Sequence, residues 1–221
     1  MFPLRDTQPS YTKPVVTILL IVVNIIVFLY EASLDDYSRN AFISLYGLTP
    51  DHFAALNILT SMFLHGGWMH VLGNMWFLWI FGDNIEDILG HAKYLVFYLL
   101  CGVVAAIAQV LLNLDSRVPM VGASGAIAGV MGAYMVKFPQ SRIKTAIFFI
   151  FIMFTDIPAW FMLIYWFAIQ LFSGVGSIGE TQASQGGTAF FAHVGGFIAG
   201  IVLIKTLGTR ERFERRRDLY W

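Results

Sequence analysis

The sequence predicts an all-α membrane protein with six transmembrane helices and with both termini in the cytoplasm. Of the 221 residues, 57% are hydrophobic and only 13% are charged, whereas soluble domains carry about 25% charged residues. The mean hydropathy of +0.69 points the same way. The third observation is that most lysines and arginines fall in segments that would lie on the same side of the membrane.

Composition also excludes some classes of function. The net charge is zero, so the chain has no overall basic field of the kind that attracts nucleic acid. The single cysteine, Cys101, lies in an apolar run and cannot form an internal disulfide.

Six apolar segments are candidates for crossing the bilayer, which takes about 20 helical residues. They are 14–30, 69–81, 94–112, 124–136, 157–172 and 190–207. The second and fourth are short, and a short span is tolerated only where its end is buried in protein or faces water. No small-x-small cleavage site follows the first, so we interpret it as an uncleaved span. A further apolar stretch, 143–154, either extends the fifth helix or lies at the membrane interface, and we favour the interface.

Charge placement sets the orientation. With a cytoplasmic N-terminus, twelve of the fourteen lysines and arginines lie inside, and only Arg39 and Arg117 lie outside, in agreement with the positive-inside rule. Segment 31–68 then forms one long outer loop. We expect a single domain over 1–221, with a core of about 14–207 and a basic cytoplasmic tail at 208–221. A multi-pass chain of this size without a transit peptide favours a prokaryotic plasma membrane.

The fourth span opens with a serine between glycines. Gly122 and Gly125 flank Ser124, so the backbone there can turn tightly and another group can approach closely. Free N–H groups at a helix start favour a developing negative charge. The alternative is a helix-packing motif, because Gly125 and Gly129 form a GxxxG pair.

A histidine near the outer end of the sixth span strengthens the chemical interpretation. His193, Gly196 and Gly200 share one helical face, and the glycines of the fourth span also share a face. Two such faces let backbones pack closely, which would bring His193 beside Ser124. A serine hydroxyl is a weak nucleophile until an adjacent base takes its proton, and imidazole suits that task.

Two further polar residues stand at the start of the second span. His70 and Asn74 are four residues apart and project together. Both can donate hydrogen bonds without a fixed charge, which suits an oxyanion hole. The alternative is that they cap or crosslink helices. No acid is positioned to complete a triad, because every Asp and Glu falls in a predicted loop or at a span edge.

Taken together, the three motifs resemble the rhomboid family of intramembrane serine proteases over about 14–207. The motifs are HxxxN in the second span, GxSG in the fourth and AHxxGxxxG in the sixth, and their order along the spans is that of the family. Their members here are His70, Asn74, Gly122, Ser124, Gly125, Ala192, His193, Gly196 and Gly200.

The resemblance implies a six-helix bundle that cleaves membrane-anchored protein substrates near the outer bilayer face, with no metal or cofactor. It implies that Ser124 is the nucleophile and His193 its base. The oxyanion donors would be the Ser124 backbone N–H, His70 and Asn74.

In the family the fifth span is thought to act as a substrate gate, which here would bring Trp160, Phe161 and Trp166 near an access route. The chain also departs from the family in two places. Leu56-Asn57 stands where many members have Trp-Arg in the first loop, so that loop is expected to be stabilised differently. Ala128 stands where some members have a tyrosine that packs on the histidine ring, so His193 needs another support.

Other membrane functions remain as alternatives. A catalytically inactive rhomboid-like protein that binds membrane clients would be expected to lack Ser124 or His193, and both are present. A transporter would show paired halves with matching helix breaks and acidic groups within its spans. A zinc protease needs HExxH, which the chain lacks, and Gly82-Asp83 does not form the GxGD motif of an aspartyl intramembrane protease.

Overall fold

The computed structural model describes residues 1–148, 151–176 and 189–209. Within these ranges the chain forms eight α-helices, a 3₁₀ turn at Ser61–Phe63 and three β-strands. The helices are α1 Val15–Ser33, α2 Asp36–Tyr46, α3 Asn57–Thr60, α4 Trp68–Leu89, α5 His91–Leu111, α6 Ser124–Lys137, α7 Ala159–Gly176 and α8 Phe190–Thr206. Of the predicted basic tail at 208–221, residues 210–221 lie outside the described residues.

A helix covers each of the six predicted spans, namely α1 and α4 to α8. Three of these, α1, α5 and α7, are long and apolar enough to be candidate membrane spans by length and hydropathy. Helix α8 is apolar but shorter. The protein is therefore a mostly helical, multi-pass membrane protein.

Helix α4 is longer than the sequence predicts, because it continues eight residues beyond 81 to Leu89. Its polar end is stabilised by a remote part of the chain. The buried Glu86 carboxylate accepts hydrogen bonds from the backbone N–H groups of Val16 and Thr17, each at 2.8 Å, and from the Thr17 hydroxyl at 2.7 Å. Glu86 thus caps the start of α1, whose own N-cap, Pro14, offers no side-chain hydrogen bond. Glu86 therefore lies in the last turn of α4 rather than in a loop.

The segment 143–154 does not extend the fifth helix. It contributes to two strands, β2 Arg142–Phe148 and β3 Ile152–Pro158, which pair antiparallel with each other. The N-terminal strand β1 Phe2–Asp6 pairs antiparallel with β2 on its other side. The three-stranded order is β1-β2-β3. Ile143 and Thr145 of β2 are buried while Lys144 between them is not, as the side-chain alternation of a strand predicts, although the next residue, Ala146, is buried as well.

The outer loop is held to the rest of the molecule by polar side chains and a short β-bridge. Asn57 donates to the carbonyls of Leu45 and Gly47 at the end of α2, at 3.0 and 2.8 Å. Asn57 is thus one of the groups that stabilise this loop in the absence of the Trp-Arg pair. Leu48 bridges Met120, which lies just before α6, through two backbone hydrogen bonds. The loop is therefore attached to the segment that leads into Ser124.

Candidate active site

The structure brings the serine and the histidine of the two glycine motifs together. Ser124 is the first residue of α6, and His193 lies in the first turn of α8. The Nε2 atom of His193 is 2.8 Å from the Ser124 Oγ, within hydrogen-bonding distance. Both side chains are half-buried.

Backbone contact between α6 and α8 sets this distance. A methyl group added at Gly196 would overlap the Gly125 carbonyl, and one added at Gly200 would overlap the Gly129 backbone. On the other face, Gly129 packs against Cys101 of α5. The glycine faces of α6 and α8 therefore pack as their spacing predicts, without side chains between the two backbones.

Gly122 brings the second span against the segment before Ser124. Its φ of +119° lies in the region that side-chain-bearing residues rarely adopt. A Cβ there would lie 2.7 Å from both Cε1 and Nε2 of His70 and 3.4 Å from Nδ2 of Asn74. Since Ser124 begins α6, its backbone N–H has no partner four residues earlier within the helix. Ser124, His70 and Asn74 therefore line the same cavity, next to Gly122.

Hydrogen bonds to the rings indicate which nitrogens carry protons. The backbone N–H of Gly66 donates to Nδ1 of His70 at 3.4 Å, which leaves Nε2, the atom nearer Gly122, to carry the proton. Asn74 is fixed in turn by His65, whose Nε2 lies 3.0 Å from the Asn74 Nδ2. Because an amide nitrogen only donates, the His65 Nε2 accepts and one amide hydrogen of Asn74 stays available.

His65 was left without a role by the sequence, and the structure gives it one as the residue that orients Asn74. Its ring is fully buried, and burial is the main cause that lowers its pKa to about 3. It is therefore neutral at physiological pH, as an acceptor for Asn74 must be. Its backbone N–H donates to the buried Glu31 carboxylate. Neither contact has a local sequence signature.

A cavity of about 310 Å³ opens beside these groups. Its lining combines the polar groups described above with apolar side chains from four helices. The lining residues are Met69, His70, Gly73, Asn74, Phe77, Ser124, Ile127, Met131, Trp166, Gln170, Phe190 and His193. Such a mixture of an apolar wall and a few convergent polar groups is typical of a substrate site.

Helix α7 supplies the support for His193 that Ala128 cannot give. The Trp166 ring lies 5.7 Å from the His193 ring, centroid to centroid, and Gln170 Oε1 lies 2.6 Å from His193 Nδ1. The sequence did not single out Gln170. Of the three aromatic residues expected near an access route, only Trp166 lines the cavity, whereas Trp160 and Phe161 lie in the first turn of α7, next to the sheet.

Comparison with known proteins agrees with the motifs. The family model for the rhomboid domain matches residues 52–210. The human mitochondrial presenilin-associated rhomboid-like protein is 34% identical over 88 residues, which are 39% of this chain and 23% of that protein. The rhomboid protease GluP of Bacillus subtilis is 30% identical over 127 residues, 56% of this chain and 24% of that protein.

A mitochondrial rhomboid protein 1 from Saccharomyces cerevisiae is 30% identical over 97 residues, which are 42% of this chain and 28% of that protein. The chain thus spans about a quarter of the length of these relatives. Two of these relatives are named as mitochondrial and one is bacterial. The comparisons therefore do not support the prediction that this protein lies in a prokaryotic plasma membrane. The match to the domain model covers well over half of the sequence, and the chain belongs to the rhomboid family.

Proposed function

We propose that the protein is an intramembrane serine endopeptidase that uses a Ser124–His193 dyad. The observation that carries the proposal is the 2.8 Å contact between the Ser124 hydroxyl and His193 Nε2 at the wall of an apolar cavity. A hydroxyl with an imidazole at this distance is the arrangement that makes serine a nucleophile. The alternative, a rhomboid-like protein that only binds membrane clients, has no need of this contact.

In the proposed reaction, the Ser124 Oγ attacks the carbonyl carbon of the scissile peptide bond while its proton passes to His193 Nε2. The Ser124 N–H, His70 and Asn74 donate to the oxyanion of the tetrahedral intermediate. When the carbon–nitrogen bond breaks, His193 returns the proton to the leaving nitrogen and an ester with Ser124 remains. Water then attacks the carbonyl carbon of that ester and loses a proton to His193. When the carbon–oxygen bond to Ser124 breaks, His193 returns this proton to the Ser124 Oγ and the carboxylic acid product leaves.

The substrates we propose are membrane-anchored proteins cleaved near the outer face. We take α1 and α4 to α8 as six spans with a cytoplasmic N-terminus. In that topology α6 and α8 both begin at the outer face, and Ser124 and His193 lie in their first turns. That orientation rests on the basic residues, twelve of fourteen of which it leaves inside. We treat residues 1–221 as one domain. The reaction needs a bilayer, which either a bacterial or a mitochondrial membrane provides.

The test is cleavage of a transmembrane reporter by the purified protein in liposomes, together with labelling by a fluorophosphonate probe. Ser124→Ala and His193→Ala should each abolish cleavage, and the probe should label Ser124. The matched controls are Ser33→Ala and His52→Ala, since Ser33 is an exposed residue at the end of α1 and the His52 side chain is 80% exposed in the outer loop. Full activity in either dyad variant would overturn the proposal. Reporter binding without cleavage or labelling would favour the client-binding alternative.

A further inference from the structure

The His193 ring is held at both of its nitrogens. Nε2 faces the Ser124 Oγ at 2.8 Å, and Nδ1 faces the Gln170 Oε1 at 2.6 Å. In the described residues no carboxylate is bonded to this ring, and the other titratable group in the cavity wall is His70 of α4. Gln170 therefore occupies the position that an acid holds in a serine–histidine–acid triad.

An amide oxygen at Nδ1 selects one tautomer. Because Oε1 can only accept, the Nδ1 atom must carry the proton, and Nε2 is left with its lone pair toward the Ser124 hydroxyl. This is the tautomer in which His193 can act as a base. An opposite amide orientation would donate to Nδ1, leave the proton on Nε2 and give the serine proton no acceptor.

Both contacts of the His193 ring with α7 come from one face of that helix. Trp166 and Gln170 are four residues apart and project together, and the Trp166 ring also lies 6.2 Å from that of Phe197, one turn beyond His193 in α8. The part of α7 from 164 to 173 has no fully buried side chain, since the buried residues of the helix are Ala159, Met162, Leu163 and Gly174. Phe167 also packs on Phe197, with ring centroids 4.8 Å apart, so Gln170 adds a polar contact to the ring contacts that hold this stretch of α7 against α8.

We infer that Gln170 is a positioning residue for His193 and that it couples the docking of α7 to the formation of an active base. This inference rests on the proposed protease function. When α7 lies against α8, the Gln170 amide fixes the base-competent tautomer of His193. When this part of α7 moves away, the hydrogen bond breaks and the ring loses its tautomer preference and its Trp166 support. An uncharged amide does this without placing a carboxylate in a membrane-buried site, which would be costly.

The experiment compares Gln170→Met, which keeps the length of the side chain but removes the acceptor, with Gln170→Glu, which keeps an acceptor and adds a charge. Loss of one hydrogen bond of ordinary net strength corresponds to roughly a tenfold change in an equilibrium. We expect Gln170→Met to lower kcat about tenfold while KM changes by less than about twofold. Gln170→Glu should recover most of kcat and move the acid limb of the pH profile of kcat to higher pH, because a carboxylate stabilises the imidazolium.

Nitrogen NMR of labelled histidine reads the tautomer without reference to activity. The parent should show His193 with its proton on Nδ1, and Gln170→Met should show a mixture of tautomers. The matched control is Gln109→Met, because the Gln109 Oε1 accepts from the Ala192 N–H, one residue before His193, at 3.1 Å. It removes a bond of the same kind from α8 and should leave the tautomer and the pH profile unchanged, even if it lowers stability.

The outcomes separate this inference from the function itself. If the parent cleaves the reporter but Gln170→Met keeps the parental kcat, pH profile and His193 tautomer, the inference is wrong and the dyad stands. If Gln109→Met shifts the tautomer as much as Gln170→Met does, the effect is general loosening of α8 and the inference is also wrong. If the parent neither cleaves nor reacts with the probe, the proposed function fails first.

Discussion

The contact between α6 and α8 leads to a quantitative prediction for Gly196→Ala. The added methyl group would overlap the Gly125 carbonyl, and ordinary contact begins at 3.4 Å, so the helices must separate by about 1 Å or more to restore that contact. Gly125 and Gly196 lie beside Ser124 and His193, and the same shift would stretch the 2.8 Å contact between Ser124 Oγ and His193 Nε2 to about 3.8 Å, beyond hydrogen-bonding range. Misplacement by about 1 Å typically costs about 100-fold in rate.

The assay is kcat/KM for cleavage of the transmembrane reporter in liposomes, accompanied by thermal unfolding in detergent. We expect a loss of about 100-fold in kcat/KM and a loss of stability of about 1–3 kcal/mol, as is usual for overpacking. The control is Gly208→Ala, since a Cβ at Gly208 meets nothing within 4 Å. If a well-folded Gly196→Ala protein kept kcat/KM within about threefold of the parent, far short of the loss a 1 Å displacement brings, the conclusion that backbone contact sets the geometry of the dyad would be refuted.

Three further predictions concern the oxyanion side, the start of α1 and pH. Gly122→Ala should lower kcat/KM for reporter cleavage by at least about tenfold, because the φ of +119° disfavours a side chain and the methyl group would displace His70. Unchanged activity would contradict this contact. Glu86→Ala should lower the unfolding free energy by about 2–4 kcal/mol, because two buried N–H groups of α1 lose their acceptor, while the pH profile of cleavage stays the same. Burial lowers the pKa of His65 from 6.5 to about 3, so the unfolded chain binds a proton that the native state excludes. The stability contributed by neutral His65 is complete above pH 6.5 and should fall by about 1.4 kcal/mol per pH unit as the pH drops toward 3; an identical pH slope in His65→Gln would argue against this assignment.

The parts of the fold that could be predicted are those whose signals are local. Apolar runs located the six long helices, and glycine spacing predicted which faces of α6 and α8 meet. The sheet was missed for two reasons. Strand β1 pairs with a remote strand, with Phe2 opposite Ala146. The β2–β3 pair is local, but it lies in a short apolar run whose pattern does not separate strand from helix. Hydropathy also ended the second span too early, since the Glu86 carboxylate finds its partners in α1, about 70 positions away.

The residues of the candidate site also differ in whether the sequence around them carries a recognisable pattern. The serine and histidine motifs carry recognisable glycine patterns, so Ser124 and His193 could be proposed as a pair from spacing alone. Gln170 and His65 have no such pattern. A single glutamine on an apolar helix, or a histidine before a helix start, acquires its role only when another helix brings a specific nitrogen within reach.

Backbone hydrogen bonds to the segment before β2 fix the first turn of α7. At its first turn, the N–H groups of Ala159 and Trp160 donate to the carbonyls of Ser141 and Pro139, and β3 joins it directly to β2. Gln170 lies eleven residues farther along, or about 16 Å at the rise of an α-helix. A tilt of about 10° about the first turn of α7 would move Gln170 by about 3 Å over that distance. Such a tilt is enough to break the hydrogen bond between Gln170 and His193.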